Sequence, residues 1–323
     1  TARRGGTAAT RDTIFELGSI SKCFTAGLAA LAHVQGRLNL DQPVGDLLPA
    51  LRNTPIGMAT PMHLATHTAG GLPLQFPEAV TSNDQAIGYL AAFAPMAAPG
   101  SVRQYSNPGF GLLGHATAQA MTAEFGELGR RALLAPLGLT STYLQVPGSE
   151  MHRHAWGHDR QQRQVRVRPG AFDAEAYGLK STASDMLRWL HMLVDPERMP
   201  PPLRQAMGCT LIPRYQAGAL QQGMGWEMVP FPGSLQALLE GNGTRTVLEP
   251  LPVQAIAPNS PPSSGQSNPP TLLLNKTGST NGFGAYILLL PVRDTGLVIL
   301  ANRNYPNAER VRLALQLLEA IEH

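Results

Sequence analysis

Two stretches near the ends of the chain carry apolar residues at helical spacing. The first covers residues 19–35, is ended by Gly36, and has its apolar positions at Phe24, Leu28, Leu31 and Ala32. The second covers residues 308–321, with apolar positions at Val311, Leu315, Leu318 and Ile321. Because its opposite face is polar, we expect the second helix to cover one face of a sheet.

Strand signals dominate the second half of the chain. Two apolar runs, residues 284–290 and 297–300, are joined by a short turn segment and predict an antiparallel hairpin. Residues 38–126 are rich in Ala and Leu, are broken by Pro and Gly, and predict short helices. Residues 249–270 are rich in Pro, Ser and Gly and predict a long surface loop that either overhangs a substrate cleft or is a mere insertion.

These patterns predict an α/β protein of the α+β type. We expect an α/β lobe built from residues 1–36 and 136–323, with an antiparallel sheet flanked by helices. Residues 37–135 would form an inserted all-helical lobe, with the active site at the interface. We find no internal repeat.

Composition narrows the classes of function. The chain has 323 residues, 43% hydrophobic and 15% charged, which is enough for a large buried core. No apolar stretch reaches the ~18 residues of a membrane span, so no membrane partner is expected. Nucleic-acid binding is not expected either, because the net charge is only +3 and the one basic cluster alternates with valines like the wet face of a strand: Arg160, Arg163, Arg166 and Arg168.

The cysteines and clustered histidines do not predict a disulfide or a metal site. Cys23 falls on the packed first helix, so a buried free thiol is expected rather than a bond to Cys209. His152, His154 and His158 are expected in an exposed loop, without a carboxylate or thiol at ligand spacing. We therefore expect no metal ion.

Lysine is scarce: only Lys22, Lys180 and Lys276 occur, against 22 arginines. A guanidinium keeps its proton, whereas a desolvated ammonium can lose one, so a site that moves protons would retain lysine. The alternative is an Arg-favouring codon bias that left three lysines by accident. Lys22 and Lys276 lie in short motifs that favour the chemical reading; we assign Lys180 no role.

The first motif places Ser19 three residues before Lys22 at a helix start. This spacing puts the amine beside the hydroxyl, which needs a proton acceptor to become a nucleophile. The second motif is Tyr105-Ser106-Asn107, at a loop entering a helix; a phenol near two ammonium groups favours the phenolate and can accept the serine proton. Asn107 can bind both Lys22 and a substrate amide. Each motif alone is common by chance.

The third motif, Lys276-Thr277-Gly278-Ser279, is expected to begin the strand of the hairpin. Gly278 suits a backbone that a ligand approaches closely, and main-chain groups of the strand could pair with an extended substrate. The amides of Ser19 and Ser279 are candidates for an oxyanion hole. The three motifs in this order and at these separations are not common by chance.

At this point the chain resembles a known family, the class C (AmpC-type) serine β-lactamases. The resemblance covers nearly the whole chain from Phe15 onward and is carried by six segments: FELGSISK (15–22), THTAGGLPLQ (66–75), YSN (105–107), DAEAYG (173–178), LNKTGSTNGFGAY (274–286) and ANRNYPN (301–307). Tyr-Ser-Asn in place of Ser-Asp-Asn, and the lack of a Glu-x-x-x-Asn segment, favour class C over class A.

The resemblance implies a serine β-lactamase or penicillin-binding-protein-like fold and hydrolysis of cephalosporins and penicillins through an acyl-enzyme. Ser19 would be acylated, Lys22 and Tyr105 would share proton transfer, and Lys276 would support Tyr105. The implied substrate-binding residues are Gln75 and Asn107 for the side-chain amide, Tyr177 as a wall, Thr277 and Gly278 on the strand, and Asn304, Asn307 and Arg310 near the substrate carboxylate. The family needs no cofactor, and it implies a periplasmic monomer.

Two alternatives remain open: an esterase or D-Ala-D-Ala peptidase on the same scaffold, and a noncatalytic β-lactam-binding domain. Family members also carry an amino-terminal helix and edge strands ahead of the nucleophile, whereas 18 residues precede Ser19 here and none resembles a signal peptide. As a complete molecule the chain would have a sheet with an exposed edge, so we expect a fragment of a longer product.

Overall fold

The computed structural model describes residues 8–233, 235–257 and 271–321. Within these ranges a 3-10 turn over Gly18–Ile20 leads directly into the first helix, so the predicted helix over residues 19–35 is confirmed apart from its first turn. The helices are α1 (Ser21–Val34), α2 (Val44–Leu47), α3 (Pro61–Ala65), α4 (Asn83–Ala91), α5 (Asn107–Ala120), α6 (Phe125–Gly129), α7 (Asp173–Ala176), α8 (Ala183–Val194), α9 (Pro201–Thr210), α10 (Leu235–Gly241), α11 (Thr244–Leu248) and α12 (Asn307–Ile321).

The main sheet of the described residues is antiparallel throughout and has seven strands in the order β10-β6-β7-β8-β11-β12-β13. Three two-stranded ladders lie outside it. The strands are β1 (Phe15–Glu16), β2 (Val102–Arg103), β3 (Gly157–His158), β4 (Gln164–Val165), β5 (Lys180–Ser181), β6 (Tyr215–Ala217), β7 (Leu220–Gln222), β8 (Glu227–Phe231), β9 (Leu251–Pro252), β10 (Gln254–Ala255), β11 (Thr271–Ser279), β12 (Gly284–Leu290) and β13 (Thr295–Ala301).

Both faces of the sheet are covered by helices. Along β12, Ile287 and Leu289 belong to the large core that also includes α1, α8 and α9, whereas Leu288 and Leu290 pack with residues of α10 and α12. Successive side chains of a strand point to opposite faces, so this continuous apolar run serves two cores. The predicted antiparallel sheet flanked by helices is confirmed, including the helix at the end of the chain over one face.

Two expectations about strands were wrong in detail. The hairpin of β12 and β13 is confirmed, but Lys276 lies in the second half of the neighbouring strand β11 and does not begin it. Part of the loop expected over residues 249–270 is regular, since β9 pairs with β2 and β10 pairs with β6. Pairing with partners distant in sequence overrides a local composition that disfavours strands. The remainder of that loop, residues 258–270, falls outside the described residues.

The middle of the chain is helical, from α2 to α6, apart from the two-residue strand β2. One large core of buried apolar residues includes side chains from this segment and from α1, α8 and α9. The division into two lobes at residues 36 and 136 therefore stays a prediction.

The predictions for the two cysteines and for the basic cluster are mostly confirmed. Cys23 is a buried free thiol, and Cys209 is also free. Arg160, Arg163 and Arg168 are exposed, whereas Arg166 is half-buried and stacks on the Trp156 ring at 4.0 Å. None of the helices in the described part of the chain has the length and apolar character needed to span a membrane.

Candidate active site

Ser19 sits in the tight turn that precedes α1. Gly18 has φ +54°, a conformation that favours glycine, and both Gly18 and Ile20 are buried while Ser19 is partly exposed. The hydroxyl is therefore held at the surface by a turn whose flanking residues are packed in the core. Its neighbour is the Lys22 ammonium, whose Nζ donates to Ser19 Oγ at 3.2 Å.

Lys22 is completely buried and has all its hydrogen-bond donors engaged. Besides Ser19, Nζ donates to Asn107 Oδ1 at 2.5 Å and to the Ala176 carbonyl oxygen at 2.8 Å. Among the described residues it forms no salt bridge with a carboxylate. Burial lowers the pKa of Lys22, the Lys276 charge adds to this, and the attraction of Tyr105 only partly opposes it.

Tyr105 lies between two ammonium groups. Its ring centroid is 5.0 Å from Lys22 Nζ and 4.9 Å from Lys276 Nζ. Burial acts to raise the pKa of Tyr105, but the two cations outweigh it, so the pKa is lowered from its ordinary value. The phenolate form of Tyr105 is thus favoured at this position.

A buried acid, Glu227, lies beside Lys276, and the sequence motifs did not indicate it. Glu227 Oε2 is 3.7 Å from Lys276 Nζ, and Glu227 Oε1 accepts from Arg103 Nη2 at 2.8 Å. Burial lowers the pKa of Lys276, but Glu227 and Tyr105 more than reverse this, so the pKa is raised. Lys276 therefore keeps its charge, in contrast to Lys22.

His67 is a second residue that the motifs missed, although it lies in the THTAGG segment. Its ring packs against the Tyr105 ring at a tilt of 30° with the centroids 4.3 Å apart, and its Nδ1 accepts from the Ser106 amide at 3.1 Å. Burial and the nearby Arg103 and lysine charges keep the pKa of His67 well below its usual range. A neutral ring therefore packs against the phenol and fixes its plane.

The end of β11 lies against the Ser19 turn. A Cβ added to Gly18 would be 2.5 Å from the Ser279 amide nitrogen, and one added to Gly278 would be 1.9 Å from the Leu17 carbonyl oxygen. The protein's own backbone therefore already requires a residue without a side chain at position 278. The same contact places Ser279, at the end of β11, beside the turn that holds Ser19.

Arg310, which the resemblance placed near the substrate carboxylate, lies in α12 and bonds to the end of β11. Its side chain is fully buried, and its terminal nitrogens donate to the oxygens of Gly278 (2.7 Å), Ser279 Oγ (3.0 Å), Ala285 (3.3 Å), Asn304 Oδ1 (2.9 Å) and Tyr305 (2.5 Å). A guanidinium committed to five protein acceptors supports the strand end from behind. Asn304 is exposed and donates to the Thr280 carbonyl, and Asn307 is half-buried and donates to the Asn242 carbonyl.

Three of the expected substrate-binding residues line one small cavity of about 140 Å³. They are the exposed Gln75, the buried Asn107 and the half-buried Tyr177. Thr277 is half-buried in β11 beside the buried Gly278.

Among the residues that the structure describes, no group of three or more His, Cys, Asp or Glu side chains could hold a metal ion. The expectation of an exposed histidine loop was wrong for His154, which is 7% exposed.

A serine hydroxyl beside an amine and a phenol, both of lowered pKa, is an arrangement that serine acyl-transfer enzymes use. The sequence profile of the family called Beta-lactamase matches residues 1–322, and the chain therefore belongs to that family. A β-lactamase of Pseudomonas fluorescens is 44% identical over 97% of this chain and 86% of its own length. A class C β-lactamase structure from Rhodobacter sphaeroides is 42% identical, with a TM-score of 0.93, over 100% of this chain and 89% of that one. A Pseudomonas syringae structure described as a β-lactamase/D-alanine carboxypeptidase is 41% identical, with a TM-score of 0.91, over 98% and 87%.

The chain is therefore a class C serine β-lactamase, an enzyme that hydrolyses β-lactams. The resemblance read from the six sequence segments is confirmed, as is the serine β-lactamase fold.

Proposed function

We propose that Ser19 is the nucleophile of this class C β-lactamase and that Tyr105 is its proton acceptor. The observation that carries this proposal is the position of the Tyr105 ring, about equally far from two ammonium groups whose pKa values move in opposite directions. Lys276, paired with Glu227, supplies a permanent positive charge. Lys22, without an acidic partner among the described residues, is the amine that can exchange a proton.

In acylation, Ser19 Oγ bonds to the β-lactam carbonyl carbon while its proton passes to the Tyr105 phenolate. The carbonyl oxygen becomes an oxyanion, which the Ser19 and Ser279 amides stabilise. The ring C–N bond then breaks, and Tyr105 delivers the proton to the leaving nitrogen. Water attacks the ester in the second half-reaction, with Tyr105 and Lys22 handling the protons, and Ser19 is regenerated.

The acyl side chain of the substrate would occupy the cavity of Gln75, Asn107 and Tyr177. Asn107 Oδ1 already accepts from Lys22, which leaves its Nδ2 group to donate to the side-chain amide oxygen. Thr277 and Gly278 would pair with the substrate along β11, and Asn304 and Asn307 would lie near its carboxylate. Arg310 acts at one remove, as a positioning residue that fixes the strand end.

The test is replacement of the nucleophile. Ser19→Ala should abolish nitrocefin hydrolysis and leave the circular dichroism spectrum and thermal midpoint unchanged, because the residue is partly exposed and its Oγ only accepts from Lys22. Nitrocefin turnover at the parent rate in this variant would refute the assignment. A long-lived cephalosporin adduct on Ser19, detected by mass spectrometry in the parent protein, would instead support a noncatalytic binding domain.

D-Ala-D-Ala peptidase activity is a second candidate function. It is favoured by the Pseudomonas syringae relative, whose description joins both activities at 41% identity. The chemistry of acylation is shared, and only the access of water to the acyl-enzyme separates the two. Turnover of a cephalosporin, a D-Ala-D-Ala peptide and a p-nitrophenyl ester by the same preparation discriminates among lactamase, peptidase and esterase.

We also propose that the protein works as a periplasmic monomer with the lobes divided as the sequence predicts. The family resemblance supports this location and state. Sedimentation equilibrium tests the monomer, and a dimer at micromolar concentration would contradict it.

A further inference from the structure

A large cavity lies apart from the catalytic cleft. Its volume is about 750 Å³, within the range of about 300–1,000 Å³ typical of small-molecule sites. Residues 124–134 form one wall, the segment from 166 to 180 forms another, and α1 forms the floor. Ser19, Lys22, Tyr105 and Lys276 are not among its lining residues.

One end of this cavity is apolar. Its side chains come from three separate parts of the chain: Phe24 and Leu28 of α1, Phe125 of α6, Leu133, and Leu144. All five belong to the large hydrophobic core or pack against it, so the surface is preformed. Such a surface accepts the hydrocarbon or aryl part of a ligand without a change of fold.

The other end holds Lys180, the lysine that the catalytic motifs leave unexplained. Its Nζ donates to the carbonyl oxygens of Leu144 at 2.8 Å and Gly178 at 2.7 Å, which leaves one N–H available. Within the described residues no carboxylate lies close enough to form a salt bridge with it. Burial lowers the pKa of Lys180 despite the attraction of Glu16 and Asp173. A half-buried cation that has no anion paired with it is stabilised when a negatively charged group binds beside it.

The acidic groups at this end are already engaged or distant. Glu16 lies opposite Lys180 in the β1–β5 ladder, but its two oxygens accept from the Val167 amide at 2.7 Å and from Thr280 Oγ1 at 2.6 Å. Asp173 also lines the cavity, and burial raises the pKa of its carboxyl. At the rim, Glu124 and Glu127 are exposed or paired with Arg130.

His154 and Arg166 add polar nitrogen groups beside Lys180. Both ring nitrogens of His154 are buried without a partner in the described structure, although the residue lines the cavity. Arg166 donates to the His154 and Ala155 carbonyl oxygens. Burial and the two nearby cations lower the pKa of His154 to about 4, so its ring is neutral at pH 7.

We propose that this cavity binds a small amphipathic monocarboxylate, with its carboxylate on Lys180 and its apolar body between α1 and α6. The acid end supplies the anion that Lys180 lacks, and the apolar body packs against the half-buried Leu144. The site is distinct from the catalytic cleft, so occupancy of one does not require the other.

The probe for the test is 4-phenylbutyrate, titrated into the folded full chain. Because the chain has three lysines, protein labelled with ¹⁵N at lysine alone gives one backbone amide signal each for Lys22, Lys180 and Lys276. The Lys180 signal should shift in a saturable way, and the Lys276 signal should not. A shift confined to Lys22 or Lys276, or no saturable shift up to the solubility limit of the probe, overturns the proposal.

Two comparisons make the charge requirement testable. Lys180→Met should weaken binding of 4-phenylbutyrate at least about tenfold by saturation-transfer NMR, whereas Arg160→Met, which removes an exposed cation outside the cavity, should leave it unchanged. With the parent protein, the neutral analogue 4-phenylbutanol should bind at least about tenfold more weakly than the acid, a result that does not depend on whether the Lys180 variant folds. Equal binding of the acid and the alcohol overturns the proposal.

Discussion

Replacing Glu175 with glutamine should stabilise the protein in a pH-dependent way. Glu175 lies in α7, the short helix whose Ala176 carbonyl accepts from Lys22, and its side chain is 5% exposed. Burial raises the pKa of this carboxyl from 4.5 to about 7, with smaller contributions from Asp173 and Glu124. The negative charge is therefore unfavourable in the folded protein and tolerated in the unfolded chain.

The magnitude follows from the linkage between protonation and folding. Each tenfold change in proton affinity corresponds to about 1.4 kcal/mol, so this carboxylate, once ionised, destabilises the folded state by about 3 kcal/mol. Because the folded-state pKa is the higher one, stability is unaffected below about pH 4.5, is lost progressively as the pH rises to about 7, and stays reduced above that. Glutamine is neutral throughout and avoids the loss.

The assay is urea denaturation of the parent protein and Glu175→Gln at several pH values from about 4 to 8. The free energy of unfolding gained by the variant should grow by up to about 3 kcal/mol between the two ends of this range. Glu319→Gln, which removes an exposed carboxylate from α12, serves as the control and should show no such growth. A gain for Glu175→Gln that is constant with pH, or that shrinks as the pH rises, would refute the reasoning.

Two further predictions concern the catalytic lysines and the close approach behind the turn. Lys22→Arg and Lys276→Arg should each lower kcat for nitrocefin about a hundredfold or more, since a guanidinium keeps its proton and does not fit the tightly bonded positions; parent kinetics in both would return the lysine scarcity to codon bias. Gly278→Ala should lower the free energy of unfolding by about 1–3 kcal/mol and reduce kcat, because the added Cβ would meet the Leu17 oxygen at 1.9 Å; an unchanged denaturation midpoint would contradict this packing.

Local patterns predicted what is encoded locally. The three-residue spacing of Ser19 and Lys22 places them on one side of a helix start, and the apolar run of β12 gives a buried strand with the bounds expected. The class of fold follows from the order of such elements. The two-residue strands β9 and β10 could not be foreseen, because short strands are stabilised by their partners β2 and β6 and not by their own composition.

The charge network around the site was harder to predict for the same reason. Glu227 follows a tryptophan in β8 with no motif around it, and its function comes from Arg103 and Lys276, which belong to other strands. Arg310 was placed near the substrate carboxylate from the family resemblance alone, which does not tell whether an arginine of α12 faces the cleft or the core. Only the acceptors around its guanidinium decide this.

Lys22 and Lys276 have different surroundings, and this difference accounts for the retention of lysine at both positions. Lys276 has Glu227 at 3.7 Å, and the acid raises its pKa, so its charge is fixed and can hold the Tyr105 phenolate. Lys22 is bonded to one hydroxyl and two carbonyl-type oxygens, none of them ionised, and burial lowers its pKa. We infer that Lys22 is the one that exchanges its proton in each half-reaction. Arginine in place of Lys276 would keep only the sign of the charge. Arginine in place of Lys22 could not exchange a proton.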